Sequence, residues 1–232
     1  MFLAGMFKHT RILAPALLVI ASFWVPVVSA QALVSPPLGE GPWEFQTYQA
    51  KIRVAVIARG LSHPWSMEFL PNGNILITER AGALRIIRDG VLDPKPIPGV
   101  PVVHAVRLSG FMELVLHPDF QNNQLVYMTY TKRINEEPLE VATTLARGRF
   151  NGEALVDVQD ILVADSWAGN GGSGARIVFG PDGKLYMSTG ASNGNAAQEG
   201  SNLRGKILRL NDDGSAAADN PFVGVEGYRP EV

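Results

Sequence analysis

The chain has 232 residues, of which 46% are hydrophobic, with 20 basic and 22 acidic residues and no cysteine. A formal net charge of −2 without a clustered basic stretch argues against nucleic acid as a partner. Disulfide bonds are excluded, so packing between sheets must supply the stability.

Residues 1–30 have the organisation of a secretory signal peptide. Two basic residues precede an apolar run, 12–28, and Ser29 and Ala30 provide a small-residue cleavage site. A membrane anchor is the competing interpretation, but two prolines interrupt the run, which is barely long enough to span about 30 Å of hydrocarbon. We therefore predict cleavage after Ala30, a periplasmic or secreted protein, and no stable membrane insertion afterwards.

Residues 31–44 are rich in proline, glycine and small side chains, which is typical of a flexible leader. We expect one folded domain to occupy residues 45–232. Without residues 1–30 the chain keeps 18 basic residues against 22 acidic ones, a formal charge of −4. This charge again disfavours nucleic acid.

An internal repeat occupies much of the remaining chain. The segment 63–90, HPWSMEFLPNGNILITERAGALRIIRDG, returns as GARIVFGPDGKLYMSTGASNG and GKILRLNDDG, and LHPDFQNNQLVYMTY is a looser copy. Proline followed by Asn-Gly or Asp-Gly predicts a tight turn before each apolar run. The alternating runs predict strands that contain Ile75 and Ile77, Leu84 and Ile86, Leu125 and Tyr127, Leu185 and Met187, and Ile207, Leu208 and Leu210.

Repeated small antiparallel sheets of this kind predict an all-β protein with the β-propeller architecture, whose blades take about 40 to 50 residues each. A β-sandwich that reuses the same turn chemistry is the alternative. The length available allows about three to four blades. Since an open ring leaves sheets unpaired, we expect the chain to be the N-terminal part of a longer protein.

Four segments resemble, in order, the soluble pyrroloquinoline-quinone (PQQ)-dependent sugar dehydrogenases, the glucose and sorbosone dehydrogenase group that includes periplasmic aldose dehydrogenases. They are HPWSMEFLPNGNILITER, GFMELVLHPDFQNNQLVYMTYT, GARIVFGPDGKLYMSTG and LRGKILRLNDDGSAAADNPFVG. The resemblance extends from about Val54 to the end. It implies a six-bladed β-propeller, of which this chain supplies the first three to four blades, with PQQ in a cleft beside a calcium ion.

The resemblance also implies a reaction, the oxidation of an aldose at its anomeric carbon to the lactone. In the family a histidine takes the hydroxyl proton while hydride passes to the quinone, and the electrons leave to an external acceptor. Calcium and cationic side chains stabilise the negative charge that develops on the quinone. Most of the residues that bind the cofactor and the calcium are expected beyond Val232, with Leu108, Gly172, Arg176, Ala191 and Asn193 at the rim of the pocket, and no metal ligand is expected in this segment.

Several expected site positions depart from the family pattern. The family histidine stands four residues before the arginine that opens a strand, here Arg176, so its position falls on Gly172. The acidic residue after the same hairpin is replaced by Ala191, and a substrate-contacting glutamine by Leu108. Glu113 replaces the second glycine of a tight turn, where a carboxylate is either a new acid or base or simply solvated.

Other residues are weighed as substitutes. His104 is the best candidate for a replacement base, whereas His63 and His117 precede prolines and are expected to be turn residues. Asn193 serves equally well as a ligand contact or a turn residue. The glycine-rich segment 167–174 suits either anion binding or a plain loop.

Three functions therefore remain open. The first is a dehydrogenase of the family without its usual base, and the second a calcium-dependent propeller lactonase, which needs inward-facing carboxylates from several blades. The third is a propeller that binds a ligand without catalysis, as Gly172, Ala191 and Leu108 suggest. Asp212, Asp213 and Gly214 are expected to form a hairpin turn rather than a calcium loop.

Overall fold

The computed structural model describes residues 39–169, 174–191 and 194–232. The predicted signal peptide, most of the predicted leader, Gly172 and Asn193 lie outside these ranges. The chain divides after Glu40, and the second unit, Gly41–Val232, is described below. Within the described ranges there is no helix with the length and hydropathy that a membrane crossing requires.

Strands make up nearly all of the regular secondary structure described in this unit. A hairpin is followed by three larger antiparallel sheets, which we call A, B and C. The hairpin is β1 (Trp43–Gln46) and β2 (Lys51–Val54); sheet A is β3 (Pro64–Phe69), β4 (Ile75–Glu79), β5 (Ala83–Arg88) and β6 (Val91–Leu92); sheet B is β7 (Phe111–Leu116), β8 (Leu125–Asn135), β9 (Glu140–Phe150), β10 (Leu155–Val163) and β11 (Trp167–Ala168); sheet C is β12 (Ile177–Phe179), β13 (Leu185–Ser188) and β14 (Ile207–Leu210). Two short helices, α1 (Phe120–Asn123) and a 3₁₀ turn (Ala196–Gln198), complete the described elements.

The repeat has the local structure that its residues predict. In sheet A the turn between β3 and β4 is closed by Leu70, whose N–H donates to the Asn74 carbonyl at 2.8 Å, with Gly73 at φ 84°. The same turn recurs in sheet C, where Gly180 N–H donates to the Lys184 carbonyl at 2.8 Å. The predicted strands are confirmed.

The looser copy differs in one respect. Where a turn was expected after Pro118, the chain makes the single-turn helix α1, which ends at Gln124 in the left-handed conformation. The hairpin turn predicted at the end of sheet C is confirmed, since Gly214 N–H donates to the Asn211 carbonyl at 3.0 Å and Leu210 pairs with Ala216.

Two hydrophobic cores hold the sheets together. Strand β8 contributes to both, because its side chains alternate: Val126 and Met128 belong to the core that includes Leu76 and Leu84 of sheet A, whereas Tyr127 belongs to the core that includes Leu208 of sheet C. These side chains are fully buried, and each stabilises the fold by about 1.5–3 kcal/mol. Sheet B is thus packed on both faces.

The three stacked sheets are blades of a β-propeller, in agreement with the predicted three to four. The first strands of sheets A, B and C are the adjacent ones, since β7 contacts both β3 and β12. The remaining strands of each sheet follow outward in chain order, except that β11 pairs with β9 rather than with β10. The alternative of a two-sheet β-sandwich is wrong. The predicted boundary at Phe45 falls inside β1, while the limits of the signal peptide and leader stay predictions.

Candidate functional site

The predicted site residues that the structure describes lie at the end of the sheets where β3, β7 and β12 begin. In antiparallel sheets the loops before these strands lie at the same end as the β4–β5, β8–β9 and β13–β14 connections. Hydrogen bonds join neighbouring sheets here: Phe111 N–H donates to the Arg80 carbonyl at 2.9 Å, and Thr129 Oγ1 donates to the Ala175 carbonyl at 2.9 Å. This end carries Leu108, and the loops around it bring Arg176 and Ala191 to the same side.

A buried carboxylate links the first strands of all three blades. Glu113 of β7 accepts a hydrogen bond from Ser66 Oγ of β3 at 2.5 Å. It also forms an ion pair with Arg176, the residue immediately before β12, at 2.6 Å. The Glu113 side chain is only 8% exposed, whereas that of Arg176 is 71% exposed. Each oxygen of the carboxylate thus has its own partner, and the three strands are connected through one group.

The tight turn predicted at Glu113 is therefore wrong. The residue lies inside β7, and its side chain is buried rather than solvated. The register between β7 and β8 shifts between Phe111 and Leu114, and the register between β3 and β4 shifts between Pro64 and Met67. These irregularities re-aim side chains, so that Ser66 and Glu113 face each other. Arg176, which the resemblance places at the start of a strand, immediately precedes β12 and forms an ion pair with Glu113.

Glu68 is a site residue that sequence reasoning missed. It lies on β3, is half-buried, and its pKa is raised, first by burial and then by the negative charge of Glu113. The sequence shows it only as one charge within the strand PWSMEF. A carboxyl group with a raised pKa beside an ion pair is able to exchange a proton nearer to neutrality.

We expect Glu68→Gln to remove a pH dependence of stability. Because the folded state holds this proton more tightly than the unfolded chain, the free energy of unfolding falls as the pH rises above the ordinary value of 4.5 through the raised pKa. Urea unfolding between about pH 4 and pH 7 measures the slope. Glu153→Gln, at an exposed loop position, is the control, and equal slopes for wild type and Glu68→Gln would refute the prediction.

The loop 104–110, which carries Leu108, is fastened at both ends to one residue. His104 N–H donates to the Thr131 carbonyl at 2.8 Å, Thr131 N–H donates to the Gly110 carbonyl at 2.9 Å, and Gly110 N–H donates to Thr131 Oγ1 at 3.3 Å. The Leu108 side chain is 70% exposed. The loop therefore presents an apolar side chain to solvent at the position where the resemblance implied an amide.

His104 lines a groove of about 600 Å³ at this end of sheet B. Its Nδ1 lies 3.2 Å from the guanidinium of Arg133, which has only donors, so Nδ1 accepts and the neutral ring carries its proton on Nε2. In this arrangement the lone pair that a general base needs is occupied. The role of His104 as a replacement base stays a prediction, and it requires Arg133 to move.

The other histidines are placed differently. His117 accepts a hydrogen bond from Asp119 N–H at 3.0 Å, stacks on Tyr127 and contacts Phe179 edge-to-face. His63 has φ 49°, and its carbonyl accepts from Arg80 N–H at 3.1 Å. Both occupy turns, as the sequence predicted.

The loop between β13 and β14, which lies at the same end, carries Ala191. Its base is closed by Gly205 N–H, which donates to the Gly190 carbonyl at 3.0 Å. The Lys206 amine donates to the carbonyls of Ala196 and Arg204 at 2.7 and 2.8 Å, and burial lowers its pKa. Ala191 is exposed and has no titratable group. Gly172 and Asn193 lie outside the described residues.

The described ranges contain no group of three or more His, Asp or Glu side chains arranged to hold a metal ion. Asp213, which a calcium loop would use, accepts instead from Ser215 Oγ at 2.6 Å and from Ser215 N–H at 2.9 Å within its turn, and these hydrogen bonds lower its pKa. The lactonase hypothesis therefore gains no support from these residues.

The blade architecture and the four ordered motifs define a class, the sugar-dehydrogenase β-propellers. The family model for glucose/sorbosone dehydrogenase matches residues 61–232, and the chain belongs to this family. It is 41% identical over 210 residues to an uncharacterized protein of Synechocystis, covering 81% of this chain and 50% of that one. It is 32% identical over 188 residues to the aldose sugar dehydrogenase YliI of Escherichia coli, covering 79% and 50%.

A solved structure gives the same relationship. The PQQ-bound form of aldose sugar dehydrogenase from Streptomyces coelicolor superimposes with a TM-score of 0.61 at 27% identity, covering 74% of this chain and 50% of that one. The chain spans about half the length of the relatives it matches. The three blades described above thus correspond to about half of such a protein.

Proposed function

We propose that the chain is part of an exported, PQQ-dependent oxidoreductase that oxidises an aldose at its anomeric carbon to the lactone and passes the electrons to an external acceptor. The observation that supports this most directly is the collinear match to an aldose sugar dehydrogenase, 32% identical over 188 residues. Three intact blades, with their first strands beginning at one end, supply the scaffold for such a site. The activity belongs to a closed ring of which these blades form a part.

The residues described fit one requirement of the cofactor. PQQ is a polyanionic quinone, and Arg176 presents a largely exposed guanidinium beside the first strands. Its NH1 is held by Glu113, which fixes the position of the guanidinium, and the rest of this exposed group would be accessible to a carboxylate of the cofactor. When bound, the quinone accepts the hydride from the sugar. Arg176 would hold and orient it, and Glu113 would position Arg176.

Calcium, which the same proposal includes, finds no ligand set among the residues that the structure describes. No step of the chemistry is therefore assigned to a metal here. The proton of the sugar hydroxyl needs an acceptor, and Gly172 has no side chain to provide one. Glu68, whose pKa is raised, is a carboxyl group on the first strand of sheet A that can hold a proton near this network.

A second candidate function is a sugar-binding propeller without catalysis. Gly172, Ala191 and Leu108 favour it, because all three lack the acid, base or amide that the resemblance implies at their positions. The dehydrogenase and the non-catalytic propeller would both bind a sugar, and only the dehydrogenase would oxidise it.

The test is PQQ binding followed by dye reduction. The full-length gene product, expressed without its predicted signal peptide, is titrated with PQQ in the presence of calcium, and the loaded protein is then assayed with a panel of aldoses. Tight binding with sugar-dependent reduction supports the dehydrogenase. Binding without turnover favours the non-catalytic candidate, and absence of PQQ binding refutes the quinone proposal.

We expect Gly172→His to raise the rate of sugar-dependent dye reduction about tenfold, because it restores an imidazole at the position of the family base. The comparison is kcat for this variant and for Gly172→Ala, which adds a side chain without a base. Equal rates for the two variants would contradict the prediction.

A further inference from the structure

The groove beside loop 104–110 has an asymmetric lining. Its walls include the apolar side chains Val102, Val103 and Ile134, and its charged groups are Lys132, Arg133 and Glu136, a net positive charge of one. Its volume of about 600 Å³ lies within the range of about 300–1,000 Å³ typical of small-molecule sites. A concave surface of this kind suits a ligand with an apolar ring face and a negative group.

The two cations of the groove differ in how firmly they are held. Lys132 Nζ lies 2.7 Å from Asp160 Oδ2, and Asp160 also accepts from the buried Tyr130 hydroxyl at 2.7 Å. Arg133 pairs with Glu136 at 3.1 Å, but the Glu136 side chain is 80% exposed. An exposed pair of this kind contributes little, so an incoming anion can replace Glu136 at small cost.

The groove adjoins the loop that carries the predicted site. Thr131, the neighbour of Lys132 on β8, fastens both ends of loop 104–110, and His104 of that loop contacts the Arg133 guanidinium. Arg133 is therefore held between the groove and the loop on which Leu108 is exposed.

We propose that the groove binds the negatively charged group of a saccharide, a carboxylate or a phosphate, through Arg133 and Lys132. This inference rests on the proposed function only in taking the ligand to be a sugar. The apolar walls pack against the ring, and the guanidinium forms charge-assisted hydrogen bonds with the anion. The substrate class of the neighbouring site is then acidic saccharides rather than neutral ones.

The experiment is calorimetric titration of the protein, without PQQ, with cellobiose, cellobiouronic acid and cellobiose 6′-phosphate. We expect the acidic sugars to bind at least about tenfold more tightly than cellobiose, with an affinity that falls as salt is raised. Arg133→Ala should remove this preference, and Glu136→Gln should strengthen it. Arg149→Ala, at another exposed ion pair on β9, is the matched control.

The two acidic ligands show whether the groove prefers a carboxylate or a phosphate, and tighter binding of either one supports the proposal. Equal affinity for neutral and acidic sugars, or an acidic preference that survives Arg133→Ala, overturns it. The titration measures binding only, so it is independent of the dye-reduction assay described for the proposed function. Acidic-sugar binding in the titration, together with no dye reduction in that assay, would support the groove while refuting the dehydrogenase. Dye reduction without an acidic preference would refute the groove alone.

Discussion

Gly99→Ala is expected to destabilise the protein by about 4 kcal/mol. Gly99 lies between sheets A and B at φ 93°, and an added Cβ would overlap the Leu155 carbonyl oxygen and lie 2.9 Å from its carbon. The left-handed backbone costs an L-residue about 1–2 kcal/mol, and displacing packed structure adds about 1–3 kcal/mol. The contact also includes Leu155 N–H, which donates to the Pro98 carbonyl at 2.9 Å. Urea unfolding measures the loss.

Gly73→Ala is the matched control for this prediction. Gly73 has φ 84°, but no atom lies within 4 Å of the position its Cβ would take. Only the strain of the left-handed backbone remains, so a loss of about 1 kcal/mol in the free energy of unfolding is expected. Similar losses in the two variants would show that the contact between Gly99 and Leu155 is not a constraint on the fold.

Arg176→Ala is expected to cost about 2 kcal/mol of stability. Removal of the guanidinium leaves the buried Glu113 carboxylate with Ser66 as its remaining hydrogen-bond partner. Breaking a fully buried pair costs about 3–5 kcal/mol, and the exposure of the Arg176 side chain reduces this figure. Urea unfolding is the measurement, and Arg149→Ala, at an exposed pair, should change stability by less than about 0.5 kcal/mol.

A double-mutant cycle measures the coupling energy between Arg176 and Glu113 apart from the separate effects of the two substitutions. Since Glu113→Gln keeps an acceptor for Ser66 and removes the buried charge, Arg176→Ala should cost less in that background than in the wild type. A coupling energy of about 1 kcal/mol is expected. Additive losses would mean that the ion pair does not contribute to stability.

The fold was predictable because its signals are local. The turns at Asn72 and Asp182 and the period-two runs after them depend on neighbouring residues, and the strands formed where these signals lie. The helix α1 was missed because the same turn residues allow one helical turn when the next strand begins a few residues later. Because the same unit recurs along the chain, its repetition predicted the packing of successive sheets as propeller blades.

The site was less predictable because its contacts are not local. Ser66 and Glu113 are 47 residues apart, and they meet through register shifts that depend on pairing between strands. Glu68 gains its raised pKa from burial and from Glu113, neither of which the strand sequence reveals. The groove at Arg133 was missed for the same reason, since it depends on where loop 104–110 is fastened.

The two-sided packing of sheet B also limits how this protein can change over evolutionary time. The β8 segment Val126, Tyr127 and Met128 is fully buried, so a single-residue insertion there would exchange the side chains of both cores at once. Loops at the strand ends carry no such penalty, and Leu108 is an exposed member of one of them. Substitutions are therefore expected to accumulate in the loops at the strand ends, where they can change ligand preference without changing the blades.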